Sequence, residues 1–314
     1  MHIPDGFLSM PVWLGLNAAA APAVGYLARR SQRRLEEASI PLLGTMGAFV
    51  FAAQMINFPV APGTSGHLIG GALLAITLGP AAAGVVMTAI LAVQALVFQD
   101  GGILALGANV FNMALAGVLA GYAPFYFLGA GSWRRPAIFL GGLLSVMVSA
   151  LLAMAQLLLS GVQISGAVLG LSLGVFLISG VLEGAITLAV AGALESLKPG
   201  LARAGGGPKG NRLAASLGVT AVLLAVVGVM FASAHPDGLE KLAENLGIAG
   251  RAQALLASPV ADYEAAFAGS LWVSRATAGL LGLTLIFGLS LVLGRWMARR
   301  GRRRGRQIAA GRSA

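Results

Sequence analysis

The sequence predicts an all-α integral membrane protein: a helical bundle of seven spans followed by a carboxy-terminal module of two. Three observations carry that expectation. Of 314 residues, 57% are hydrophobic and 10% charged, and the mean hydropathy is +0.85; a soluble domain carries roughly a quarter charged residues. Apolar runs of about the 20 residues that a bilayer-crossing helix needs recur along the chain. Once those runs are laid out in order, the basic residues segregate to one side.

The runs are 11–28, 40–58, 67–80, 82–98, 106–128, 136–160, 168–194, 213–233 and 270–295. The third is too short to cross comfortably and predicts a helix that starts below the surface with His67 at its mouth. Irregular backbone at such depth must be buried in protein or line a cavity. The seventh holds Glu183, an ionisable residue with no evident partner and therefore a functional candidate. Nine runs put the chain ends on opposite faces. With the amino end outside, the inner face receives Arg29, Arg30, Arg33, Arg34, Arg134, Arg135, Lys198, Arg203, Lys209, Arg212 and the tail arginines from Arg295 to Arg312. That is 18 of the 21 Lys and Arg, leaving Lys241, Arg251 and Arg275 outside. The expected location is the cell (inner) membrane, multi-pass, amino end outside and carboxyl end cytoplasmic.

The net charge of +10 invites a nucleic-acid reading, but the charge follows the membrane faces. Its basic tail lacks stacking aromatics and suits an anionic inner leaflet. Membrane lipid is thus an expected partner and nucleic acid is not. There are no cysteines, which excludes disulfides, thiolate metal sites and iron–sulfur clusters. Pro199, Gly205-Gly206-Gly207 and Pro208, with four basic residues, break the pattern and predict a cytoplasmic linker over 198–212. It divides a first module, 1–197, from a second, 213–314, whose two spans flank an outer loop, 234–269.

Chemistry concentrates at the outer face. The segment opening Met1-His2 places the α-amine, the Met1–His2 amide nitrogen and His2 Nδ1 within chelating reach of one ion. Fused five- and six-membered rings through those atoms suit Ni(II) or Cu(II). The segment has no signal-peptide pattern, and bulky His2 predicts that the initiator Met is retained. A frayed amino terminus with an incidental histidine is the plain alternative. His67 follows Gly63-Thr64-Ser65-Gly66; alone it would serve as a structural or capping residue, but with Met1 and His2 it completes four nitrogen donors. Asp5, Gln54, Asn57, Ser65 and Asp100 are candidates to orient the imidazoles and offset charge around that set. His235, Asp237 and Glu240 of the outer loop are candidates to hold or guide metal briefly, against a simpler role in shaping the loop.

Met1-His2-Ile3-Pro4-Asp5-Gly6, Asn57-Phe58-Pro59, Gly63-Thr64-Ser65-Gly66-His67 and Gln99-Asp100-Gly101-Gly102 resemble the CbiM/NikM family, substrate-capture (S) subunits of nickel and cobalt energy-coupling-factor (ECF) transporters. The resemblance implies an amino-terminal segment inserted into the bundle, with the amine, His2 and His67 as metal donors. Pro236-Asp237-Gly238-Leu239-Glu240 and Ser258-Pro259-Val260-Ala261-Asp262-Tyr263 are similar to the PDGLE domain, a two-span (NikN-type) accessory fused to or accompanying such subunits. It implies uptake of Ni2+ or Co2+ as transported substrate with no cofactor, alongside a transmembrane coupling subunit (T component) and ATP-binding subunits (A components). No G-x-x-x-x-G-K-[ST] loop occurs here, so ATP hydrolysis is expected on those partners and this chain is not expected to be an enzyme. The all-nitrogen donors and the PDGLE fusion favour nickel; cobalt uptake for cobalamin biosynthesis is the alternative with the same site. A remote alternative makes Ser65 the nucleophile of an intramembrane serine protease, with His67 badly placed as its base. A channel is disfavoured because no ring of acids marks a cation path.

Overall fold

The structure, a computed structural model, describes residues 1–33, 35, 37–197 and 211–310. Arg34, Arg312 and most of the predicted linker, including Lys198, Arg203 and Lys209, lie outside the described residues. The predicted helical class holds. After the amino-terminal segment come α1 (Met10–Gln32) and α2 (Ile40–Gln54), then a hairpin of β1 (Phe58–Ala61) and β2 (Thr64–Gly66). Next are α3 (Gly71–Leu78), α4 (Pro80–Val93) with a π-helical continuation Gln94–Phe98, and α5 (Leu106–Asn109), which runs through the π segment Val110–Gly117 into α6 (Val118–Leu128). The long helices α7 (Arg134–Leu159) and α8 (Gly166–Leu197) close the first module. The second contains α9 (Asn211–Val226), the short outer helix α10 (Gly238–Asn245) and α11 (Leu271–Ala310).

Among the described residues, five helical stretches are long and apolar enough to cross a bilayer: Pro80–Phe98, Leu106–Leu128, Gly131–Leu159, Gly166–Leu197 and Leu271–Gly301. Helices α2 and α9 are apolar but shorter, and α1 mixes its apolar residues with exposed alanines. The predicted span 67–80 is corrected. Residues 67–70 run without helix, and α3 begins only at Gly71, whose neighbour Gly70 is left-handed (φ 76°). Eight residues rise about 12 Å, and the chain turns at Gly79 (φ 81°) into Pro80, which suits a first helical position. His67 therefore sits in a loop before the helix, not at its first turn.

Helices α2, α3 and α4 are buried nearly all round and form the centre of the bundle. Helices α9 and α11 pack on α2, so the second module lies directly against the first. Small residues permit these approaches: a Cβ on Gly142 of α7 would meet the Gly184 Cα of α8 at 2.6 Å, as expected where helices associate through backbone contact.

Candidate metal centre

Bare backbone in a bundle core needs partners for its N–H and C=O groups, and the amino-terminal segment finds them. Ile3, fully buried, donates its N–H to Asn109 Oδ1 (2.8 Å) and accepts from Asn109 Nδ2 (3.0 Å) and from the Gly102 N–H (2.8 Å). Asp5 accepts from the Ile103 and Ala105 N–H groups at 2.9 and 3.0 Å. Its carboxylate thus secures the turn ahead of α5 and does not orient an imidazole, which corrects its expected role. Gly102 is needed for this approach: a Cβ there would sit 2.1 Å from Asp5 Oδ1.

The segment's tip reaches the predicted histidine. The Met1 ammonium donates to His67 Nε2 at 2.7 Å, while the His67 Nδ1 proton is directed at the Leu68 carbonyl, 2.9 Å away. The His2 and His67 rings lie parallel within 5°, centroids 5.4 Å apart. His2 Nδ1 pairs with Asp100 Oδ1 at 2.9 Å, and His2 Nε2 is buried without a partner among the described residues. Chelation through Nδ1 therefore requires the ring to turn away from Asp100. Among the described residues no three His, Asp or Glu side chains converge as a metal-holding group.

Two carboxylates supply negative charge. Asp237, at the start of α10, forms an ion pair with the Met1 ammonium and lies 3.5 Å from His67 Nε2. Asp100 accepts from His2 and from the Tyr263 hydroxyl (2.5 Å). Burial opposes ionisation of both. At Asp237 the amino-terminal charge and His67 outweigh it, and at Asp100 the His2 imidazole and Tyr263 do, so each carboxyl is held below its ordinary range. Burial and then the neighbouring ammonium lower His67, which keeps its ring neutral, the form that binds metals.

A second buried network fixes the loop that carries His67. Glu183 of α8 is 1% exposed and accepts from the Ile69 and Gly70 N–H groups at 2.7 and 2.8 Å. Those are main-chain donors of the buried loop just ahead of α3, which would otherwise have no partner. Gln54 donates to the Ile69 carbonyl (2.7 Å) and accepts from Gln94 (2.9 Å). Gln54 thus acts on the loop's main chain. Asn57 lines the cavity over the site and binds the Ser233 N–H through its own carbonyl (2.8 Å).

The outer loop of the second module covers this ground. Ser65 is fully buried and donates to the His235 carbonyl at 2.7 Å, and its N–H donates to the Pro236 carbonyl at 2.8 Å. A hydroxyl so engaged, with no imidazole as acceptor, gives no support to a serine nucleophile. Gln253 donates its N–H to the Asp5 carbonyl (3.0 Å), and Ser258 Oγ donates to the Val97 carbonyl (2.5 Å). The His235 side chain is exposed, and Glu240 folds back on the start of α10. A cavity of about 610 Å³ remains between the modules, bordered by His2, His67, Asp100, Asp237 and Tyr263. Asn109 and Tyr263 escaped sequence reasoning as site residues. For Asn109 the available signal was an amide, followed by Asn112, in an otherwise apolar run.

Comparison with known proteins follows the same division. Residues 2–201 match the CbiM family model, described as a cobalt uptake substrate-specific transmembrane region, and residues 211–299 match the PDGLE domain. A fused nickel transport protein, NikMN, of Rhodobacter capsulatus is 32% identical over 345 aligned residues, covering 94% of this chain and 97% of that protein. A cobalt transport protein, CbiM, of Acetoanaerobium sticklandii is 35% identical over 163 residues, covering 51% of this chain and 67% of its own. A crystal structure of a transition metal transporter aligns with a TM-score of 0.55 at 32% identity, over 63% of this chain and 93% of that one.

Proposed function

This chain belongs to the CbiM family of cobalt uptake substrate-specific transmembrane regions, with a PDGLE domain fused behind, and from that premise we propose that it is the metal-capturing membrane subunit of an ECF-type nickel importer. The ion binds the Met1 amine, the Met1–His2 amide nitrogen, His2 Nδ1 and His67 Nε2. One observation carries the reading: the buried amine of residue 1 lies 2.7 Å from an imidazole nitrogen of residue 67, with the His2 ring stacked alongside.

The chemistry follows from the donors. Four nitrogens favour a planar ion of the Ni(II) type. Binding displaces protons from the amine and the amide, so affinity falls as pH drops. Loss of the amide proton lowers the charge buried with the ion, and Asp100 and Asp237 offset what remains. Uptake runs from the outer cavity, with modules 1–197 and 213–314 joined by a cytoplasmic linker, the amino end outside and the carboxyl end inside. Coupling and ATP-binding subunits on separate chains supply the driving force. Nickel is favoured by the full-length likeness to a fused nickel transport protein. The cobalt reading rests on the family model's own description.

The test is equilibrium binding of nickel and cobalt by the purified chain, alongside a version with one residue added ahead of Met1. Loss of at least a hundredfold in nickel affinity is expected on extension, and likewise for His67→Ala. Undiminished binding by the extended chain sinks the ligand set. Trace-metal uptake by cells that also make the partner subunits decides between the two ions.

A further inference from the structure

The five residues Pro236 to Glu240 are each committed to a local task. The Pro236 carbonyl accepts from the Ser65 N–H, and that residue's hydroxyl approaches it at 3.3 Å. Asp237 caps α10 with a reciprocal box: its Oδ1 accepts from the Leu239 and Glu240 N–H groups at 2.7 and 2.9 Å, and Glu240 Oε2 accepts from the Asp237 N–H at 2.7 Å. Gly238 rests on Phe176 of α8, where a Cβ would come within 2.8 Å of the ring. Leu239 is 2% exposed. The cap uses one carboxylate oxygen. The other, Oδ2, faces out of the turn onto the Met1 ammonium and lies 3.5 Å from His67 Nε2.

We infer that Asp237 is a positioning residue of the metal site, supplied by the second module. Its Oδ2 holds the Met1 amine against His67 Nε2, and its Oδ1 fixes the helix that aims it. The motif is thus a rigid pointer from one module to the terminal donor of the other. This deepens the reading above and rests on it. Asn is as good a capping residue as Asp, so Asp237→Asn keeps α10 while removing the charge from the amine.

The experiment uses the full chain in detergent and Ni(II) as probe, with Asp237→Asn and Asp237→Ser as two capping variants, so that a folding failure of one leaves the other. Nickel affinity should fall at least tenfold, while the absorption spectrum at saturation stays that of the parent, because no ligand has been removed. Without metal, acylation of the Met1 amine by an N-hydroxysuccinimide ester, read by mass spectrometry, should accelerate at least fivefold. Parental affinity and parental labelling in a folded variant overturn the inference, as does a changed spectrum at saturation, which would make Asp237 a ligand. If the chain extended ahead of Met1 binds nickel normally, the ligand set falls; the labelling arm still decides whether Asp237 holds the amine.

Discussion

The two halves of the amino-terminal segment are held by different kinds of force. Residues 3–5 are tied mainly within the first module, by main-chain, Asn109 amide and Asp5 carboxylate hydrogen bonds to 102–109, with one main-chain bond from Gln253 of the second module to the Asp5 carbonyl. Residues 1 and 2 are tied largely by charge, to Asp237 of the second module and to Asp100, which Tyr263 of the second module braces. The rear of the segment is an anchor held chiefly by the first module. Its tip is a switchable contact. The proposed metal site, which has to hold an ion and release it, is served by rigidity behind the donors and charged partners around them.

The largest effect should come from the anchor that the two halves share through His67. Glu183→Ala leaves the buried Ile69 and Gly70 N–H groups without their acceptor, at about 1–3 kcal/mol for each orphaned donor. A thermal midpoint lowered by several degrees and near-complete loss of nickel binding are expected. Normal binding would show that the 67–70 loop holds its place unaided. Asn109→Leu comes next. It frees the Ile3 N–H and one bond to its carbonyl, about 1–3 kcal/mol in all, and proteolysis near residue 5 should become measurable while α7 and α8 stay intact.

Acid should separate the halves. The Asp237 and Asp100 carboxyls are lowered in the fold, so their contribution is whole above the unfolded value near 3.9 and is lost as pH falls through the lower folded values. Melting temperature followed downward from pH 5 should drop, and peroxide oxidation of the buried Met1 thioether, read by mass spectrometry, should rise while Ile3 stays protected from hydrogen exchange. Simultaneous loss of both would erase the distinction drawn here. The smallest effect belongs to Tyr263→Phe, which removes one hydrogen bond to Asp100. About 1 kcal/mol gives a few-fold loss of nickel affinity, with Asp5 contacts unchanged.

Much of this was readable beforehand, and the exceptions have physical causes. The helical class followed from hydropathy, and the meeting of Met1, His2 and His67 from nitrogen chemistry joined to a family likeness. The start of α3 was misplaced because an apolar run does not reveal where a helix breaks; Gly70 and the carboxylate of Glu183 decide that. Glu183 itself looked partnerless because its partners are backbone N–H groups, which no side-chain pattern advertises. Asp5 and Gln54 were assigned to the imidazoles for the same reason, since their actual partners are the main chain at 103, 105 and 69. Asp237 stood in a recognisable motif, but its contact to residue 1 spans 236 positions and is a product of tertiary packing alone.

That long separation has a bearing on biogenesis. Membrane chains are made from the amino end, and early segments fold as they emerge. Met1 is made long before Asp237, and the carboxylate that secures its amine arrives only after the first module has been synthesised. The arm must wait, docked at its rear by Asn109, until α10 is delivered. Under the proposed ligand set, metal capture is thereby tied to delivery of α10, and a product that lacks the second module would carry its Met1 amine unsecured.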